Sequence, residues 1–306
     1  MITVIIASSN EEKTIGKAIE CISDSSYTNY KGKLQMIQVS PDEETLEAGS
    51  NTARRLNLGT NYQQIKDPKK GKSTALNLAL KEAKGEIIVM TDGDVYLDKN
   101  ALGELITCFS DEHIGGVSGK PIPQNSRNTF WGYIAHLLTA AADHKRRSIF
   151  PNKVDRYFTK KGSYFPMSGY ILAFRNIDLQ YDSQYIDDAL ISIKILKKGL
   201  DLAYAPEAKV IVKFPENMKD YLIQRRRNFL GNREIHKDER FYEYSDPRSF
   251  KNELKYALFP LYFAKNIKEF IWSLFLYPIR SVTWLICLVP SKKSKTKIWK
   301  TASSTK

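Results

Sequence analysis

The first ninety residues alternate short β-rich runs with helical patterns, and that alternation narrows the architecture more than any other feature of the chain. Residues 2–8, 33–40 and 86–91 read as strands, with a weaker extended piece near 61–66, while 11–23, 43–56 and 72–84 carry helical spacing. Strands alternating with helices of this length imply an α/β fold, a mostly parallel sheet flanked by helices. In such sheets ligands gather at the carboxyl ends of the strands. Three polar strand ends should therefore converge on one site: Ser8-Ser9-Asn10-Glu11, Ser40-Pro41-Asp42 and Asp92-Gly93-Asp94.

The third of these is the most telling. The apolar run Ile87-Ile88-Val89-Met90 leads into two carboxylates separated by one glycine. Burying unpaired charge is costly, so the pair belongs where the strand emerges. Two carboxylates there suit a hard divalent cation, which prefers oxygen donors and can carry a substrate diphosphate with it. Asp-Gly is also common in turns, and on its own the run leaves a plain surface turn open.

Beyond residue 115 the pattern is less regular. Gly115 to Gly119 suggests a strand, 128–147 a helix ending in Lys145-Arg146-Arg147, Gly162 to Pro166 a loop, and 168–175 a strand ending in Arg175. Residues 187–198 form a helix that begins with Asp187 and Asp188, favourable against its dipole.

The net charge of +13 calls for an anionic partner. No zinc-finger spacing and no aromatic RNP-type signature is present, which argues against nucleic acid. Cys21, Cys108 and Cys287 lie far apart, a usage that suits a reducing compartment and no disulfide framework. The four histidines, His113, His136, His144 and His236, show no paired spacing and receive no metal role. The opening Met1-Ile2-Thr3-Val4-Ile5-Ile6 lacks a basic n-region and reads as a first strand, not a signal peptide.

From about 254 the character shifts. Residues 256–289 are rich in Leu, Phe, Tyr, Ile and Trp but are broken by Pro260, Lys265, Lys268, Glu269, Pro278 and Arg280. A window over 270–289 has spanning length. An arginine near its middle costs about 2.5 to 3.5 kcal/mol, so interfacial helices with snorkelling cations fit at least as well. A soluble hydrophobic helical pair packed on the main domain is the alternative. Lys292, Lys293, Lys295, Lys297, Lys300 and Lys306 follow with no acidic residue among them, and they favour a membrane surface with anionic lipids.

Two familiar loops fail. Gly71-Lys72-Ser73-Thr74 lacks the earlier P-loop glycine, since position 66 is Lys. Asp92-Gly93-Asp94 lacks the calcium-loop glycine, which is replaced by Leu97.

Read in order, the pieces resemble the inverting glycosyltransferases of family 2, nucleotide-sugar enzymes with a GT-A fold. Ala7 to Glu11 looks like that family's P-x-x-N-E element, with Ala7 where proline is usual. Ser40-Pro41-Asp42 stands in place of its D-D-G-S strand end and retains one Asp. Lys69 to Asn77 is similar to its G-K-x-x-A-L-N helix start, and Asp92-Gly93-Asp94 to its D-x-D. Ser168-Gly169 followed by Arg175 resembles its S-G-x-x-x-x-x-R, Asp187-Asp188 its Glu-Asp, and Pro206-Glu207-Ala208 its P-E-A strand. Gln224-Arg225-Arg226-Arg227 looks like the Q-x-x-R-W signature of the membrane-associated branch, with Asn228 in place of tryptophan. The resemblance covers about residues 1–232.

It implies a GT-A-like domain over 1–245, with a nucleotide-sugar half at about 1–120 and an acceptor half at about 121–245, followed by membrane-associated helices and a basic tail over 246–306. It further implies a role for each matched residue. Asp94 would hold Mg²⁺ or Mn²⁺ against the diphosphate of a donor, a UDP-sugar being favoured, with Asp92 as its partner at the metal, contacting the ribose or metal-bound water. Ala7, Asn10, Glu11, Asp42, Lys72 and Gly93 would line the nucleotide-sugar pocket. Gln224, Arg225 and Arg227 would clamp the diphosphate. Asp188 would be general base, with Ser168, Gly169 and Asp187 on the acceptor side. The acceptor would be a glycan or lipid-linked hydroxyl at the cytoplasmic face of a membrane.

Two rivals remain on the sequence. A sugar nucleotidyltransferase would need a glycine-rich loop after the first strand, and Ser8 to Thr14 contains no glycine. A catalytically inactive membrane-surface binding protein of the same fold is opposed by the intact Asp94 and Asp188.

Overall fold

The computed structural model describes residues 1–25, 34–149, 152–153, 156–158, 165–177, 187–237, 254, 256–288 and 303–305. Its centre is a ten-stranded mixed sheet. Strand β1 (Ile2–Ala7) lies between β2 (Leu34–Ser40) and β4 (Ile87–Asp92), parallel to both, and β3 (Tyr62–Lys66) extends the parallel edge beyond β2. All six residues of β1 are buried, as expected for a strand covered on both faces.

The alternation of side chains along β1 divides the core. Ile2, Val4 and Ile6 pack with α1 (Ile15–Asp24) and α4 (Ala101–Thr107) on one face. Ile5 and Ala7 pack on the other with α3 (Lys72–Glu82) and α6 (Asp187–Lys197). In α1 the buried residues are Ile15, Ala18, Ile19 and Ile22, the i, i+3, i+4, i+7 spacing of an amphipathic helix. Helix α2 (Glu43–Arg55) starts at Asp42, whose side chain caps Thr45 N, and carries acids in its first turn and arginines in its last.

The second half departs from a purely parallel pattern. Strand β9 (Ile171–Arg175) inserts between β4 and β6 (Ile114–Pro123) and runs antiparallel to both. Strand β10 (Asp201–Val212) continues parallel to β6, and the short β5 (Val95–Leu97) pairs antiparallel with β10. The far edge is made of β8 (Arg156–Phe158) and β7 (Asn152–Lys153).

Outside the sheet, a third apolar cluster joins α5 (Phe130–Ile149), α7 (Met218–Lys237), α8 (Phe259–Phe263) and α9 (Ile267–Leu288) around Tyr133, Tyr221 and Leu276. The C-terminal apolar segment is thus helical and packed on the main domain. Pro278 lies inside α9, and among the described residues no helix is long and apolar enough to cross a membrane. The tail lysines at 292–300 and 306 lie outside the described residues.

Candidate active site

The parallel strands end together, and hydrogen bonds lash their ends into one surface. Gly93 N donates to Ala7 O at 3.0 Å, and Ser8 N to Val39 O at 3.0 Å. Asn10 has a φ of 52°, a left-handed conformation that asparagine tolerates, and its N–H donates to Asp42 Oδ2 at 2.8 Å. Glu11 N donates to Thr45 Oγ1 at 2.9 Å. Asp42 also accepts from Ser40 Oγ at 3.1 Å. Burial pushes its carboxyl up, but the bonds from Thr45, Asn10 and Ser40 outweigh burial and hold it below the usual carboxylate value.

The glycine of the Asp-Gly-Asp turn is dictated by its neighbours. A Cβ at Gly93 would lie 2.5 Å from Glu11 Oε2 and 2.9 Å from Ser8 Cβ. The turn therefore closes directly over the buried Glu11 and keeps Asp92 and Asp94 beside the β1 end. Lys72, at the start of α3, donates to Asp92 Oδ1 at 2.8 Å. Both aspartates are half-buried. The structure thus gathers Ala7, Asn10, Glu11, Asp42, Lys72, Asp92, Gly93 and Asp94 along adjoining strand ends.

Asp67 belongs to the same rim, and the sequence reading omitted it. It follows β3, is buried, and its N–H donates to Ser40 O at 3.0 Å. Burial pushes its carboxyl up, Lys69 N opposes that by donating at 2.7 Å, and the negative charge of Asp42 adds to the rise. The signal available in sequence was a polar residue at the end of a weak strand, which is common to many loops.

At the residues expected on the acceptor side, Ser168 N donates to Ser118 Oγ at 2.8 Å. A Cβ at Gly169 would lie 3.1 Å from Asp188 Oδ2, so the Asp188 carboxylate rests against the Gly169 backbone. Asp188 is buried in the first turn of α6, and its Oδ1 accepts from Ala189 N at 2.7 Å. Ser192 Oγ donates to the Asp188 carbonyl at 2.6 Å and accepts from Met167 N at 3.0 Å, which ties α6 to the Ser168 segment. The side chain of Asp187 lies outside the described residues.

Tyr170 joins these two halves, and it was not singled out by sequence. Thr91 Oγ1, one residue before Asp92, donates to the Tyr170 carbonyl at 3.1 Å. The Tyr170 hydroxyl accepts from Gln224 Nε2 at 3.2 Å, and its ring meets Phe214 edge-on at 5.5 Å. Burial pushes the hydroxyl up to about 12; the cations of Arg227 and Arg225 oppose that rise, and the anions of Asp94 and Asp92 add to it. Both arginines and both aspartates are therefore within electrostatic reach of one phenol. The Arg225 guanidinium also lies 5.2 Å over the Tyr221 ring, which packs against Trp131 at 5.5 Å.

The basic cluster at the end of α5 is largely engaged in structure. Arg147 Nε donates to Asp143, which also receives Lys120 Nζ at 3.1 Å and the Tyr204 hydroxyl at 2.6 Å. Arg146 is buried over the Phe165 ring at 4.9 Å.

The family model for glycosyltransferase like family 2 matches residues 1–231. The chain belongs to this family. The match ends within α7, short of α8 and α9. Among relatives in the family, the poly(ribitol-phosphate) beta-N-acetylglucosaminyltransferase TarS of Staphylococcus aureus is 26% identical over 131 residues, 40% of this chain and 22% of that protein. The N-acetylglucosaminyltransferase of Rhizobium meliloti is 23% identical over 240 residues, 74% of this chain and 54% of that protein. The chain thus spans between 22% and 54% of the length of these two relatives. The solved mannosyltransferase PcManGT of Pyrobaculum calidifontis, in complex with GDP-Man and Mn²⁺, covers 92% of this chain and 75% of its own with a TM-score of 0.59 at 17% identity. That likeness is one of fold, the GT-A-like α/β arrangement of a mostly parallel sheet flanked by helices.

Proposed function

We propose that this chain transfers a sugar from a nucleotide-diphosphate sugar, UDP-linked by preference, to a hydroxyl of a growing glycan or lipid-linked acceptor. Transfer inverts the anomeric carbon and takes place at the cytoplasmic face of a membrane. The catalytic unit spans about 1–245, and 246–306 associates with the membrane. The observation that carries this reading is the position of Tyr170. Its carbonyl is bonded to the residue before Asp92, its neighbour Gly169 lies against Asp188, and its hydroxyl is bonded to Gln224. A carboxylate pair, a single buried carboxylate and a glutamine–arginine turn therefore surround one residue.

Among the described residues, no group of three or more His, Cys, Asp or Glu side chains could hold a metal unaided. Mg²⁺ and ions like it commonly take one or two carboxylates and complete their shell with water and substrate phosphate. Asp92 and Asp94 at one strand end fit that donor set. Lys72 engages one oxygen of Asp92, and Asp94 is the principal ligand in this reading. When bound, Mg²⁺ or Mn²⁺ neutralises charge developing on the departing diphosphate.

The chain's own residues do the rest. Asn10, Glu11 and Asp42 shape the nucleoside side of the cleft, and Lys72 adds positive charge beside Asp92. Arg225 and Arg227, oriented through Gln224, donate charge-assisted bonds to the diphosphate. Asp188 takes the proton of the acceptor hydroxyl as its oxygen bonds to the anomeric carbon. The bond from that carbon to the diphosphate breaks on the opposite face, and its electron pair leaves with the nucleotide.

The test is nucleotide release from UDP- and GDP-sugars in the presence of Mn²⁺, comparing wild type with Asp188→Asn. The variant should transfer roughly 10²–10⁴-fold more slowly while binding nucleotide within about twofold of wild type. Wild-type turnover in the variant would remove Asp188 from the role of base.

A further inference from the structure

Helix α9 has two unlike faces. Its inner face is fixed to the main domain. Glu269 accepts from Arg127 Nε at 2.8 Å and from Arg127 Nη2 at 2.9 Å, Ser273 Oγ lies 2.6 Å from the Tyr133 hydroxyl, and Leu276 is buried. At 3.6 residues per turn, the outer face presents Ile267, Ile271, Leu274, Phe275, Val282 and Leu285 along one stripe. All six are exposed, Ile267 at 80%, Phe275 at 58% and Leu285 at 64%. The stripe is roughly 27 Å long at 1.5 Å per residue.

Water is a poor medium for such a surface, since monomeric soluble proteins rarely expose contiguous apolar patches above a few hundred Å². The chemistry around the stripe says what suits it. Lys265 and Lys268 are exposed at its start, and Tyr262 on α8 is 82% exposed beside them. Six lysines and no acid follow in the last sixteen positions of the sequence. A second copy of the chain is disfavoured, because each copy carries a net charge of +13 and large like charges keep proteins apart. Spanning is disfavoured as well, because the inner face is committed to α5 and α7 and no described helix is long and apolar enough to cross.

We propose that α9 is an in-plane docking helix whose outer face sits at the headgroup–acyl boundary of an anionic lipid surface. Tyr262, Lys265 and Lys268 lie at the waterline, where amphipathic and cationic side chains meet headgroups. The docking face takes the membrane location from the reading above and needs none of its chemistry.

The test is cosedimentation of the full chain with phosphatidylcholine vesicles, with and without about 30% phosphatidylglycerol. Wild type should bind the anionic vesicles. Ile271→Glu/Phe275→Glu, which alters only exposed positions, should bind about a hundredfold more weakly, with nucleotide binding unchanged in the same preparation. Equal binding by the double variant would overturn the proposal and leave the lysines as the whole attraction. Failure of wild type to bind either vesicle at low salt would also overturn it. So would a dimer, seen by light scattering, that the double variant dissolves. Lost nucleotide binding with intact vesicle binding would count against the transferase reading and leave the docking face standing.

Discussion

Replacing Tyr170 with phenylalanine removes one oxygen from the centre of the site and leaves its packing in place. The ring keeps its edge contact with Phe214, and the backbone bond from Thr91 is untouched. What is lost is the bond from Gln224 Nε2. A neutral bond of this kind contributes about 0.5–1.5 kcal/mol, and Gln224 is only half-buried, so water can replace its partner and no large unsatisfied penalty is added. If that energy serves to hold the Gln224–Arg227 turn over the diphosphate, nucleotide affinity should fall about two- to twelvefold. Calorimetric titration with UDP and Mn²⁺ measures this, and thermal unfolding supplies the control, with Tm expected to move by less than about 3 °C. Gln224→Ala should weaken binding equally, and Tyr170→Phe/Gln224→Ala no further than either alone, because the two share one bond. Unchanged affinity in a folded Tyr170→Phe protein, or fully additive losses in the double variant, would refute the argument that Tyr170 positions the arginine turn.

Two further outcomes follow from the geometry. Gly93→Ala should weaken nucleotide binding at least about tenfold with helix content preserved, since its Cβ would meet Glu11 Oε2 at 2.5 Å and displace the strand end; wild-type affinity would show that the turn can shift freely. The hydrogen bonds from Arg127, working against burial, hold the Glu269 carboxyl at about 2, well under its usual 4.5. Its folded value is depressed, so its stabilisation is complete above pH about 4.5 and fades as pH falls toward 2. Glu269→Gln should cost about 1–3 kcal/mol at neutral pH and flatten the fall in unfolding free energy between about pH 5 and 3; an identical pH profile in the variant would place that fall elsewhere.

What could be read from the sequence was local. β1 and β4 are largely apolar buried runs bounded by polar turns, β2 is a buried strand interrupted by Gln35 and Gln38, and each lies within a residue or so of its expected place. Asp92-Gly93-Asp94 falls where the strand emerges because charge cannot follow Met90 into the core. The unread parts depend on distant partners. β9 is a plausible strand in isolation, but nothing local says that it enters antiparallel between β4 and β6, and that insertion is what brings Tyr170 beside Thr91. Tyr170 therefore passed as one more aromatic residue after Ser168-Gly169. The short β5 and α4 have too few residues to show a period. The Arg127–Glu269 pair joins residues 142 positions apart, so Glu269 read only as a charge interrupting an apolar run. The apolar run itself did not say which face would be covered; that depended on Tyr133, Leu137 and Tyr221 being supplied by α5 and α7.

In the proposed reading Asp94 anchors a metal-dependent nucleotide site at the end of β4. Calorimetric titration of the full chain with UDP, GDP and CDP, with and without Mn²⁺ and alongside Asp94→Asn, tests it most directly. Mn²⁺-dependent binding of one nucleotide, UDP before the others, is expected, and the variant should lose it. Absence of binding to the folded wild type, or affinity unchanged in Asp94→Asn, would contradict it and leave a GT-A fold serving as a membrane-surface binding protein.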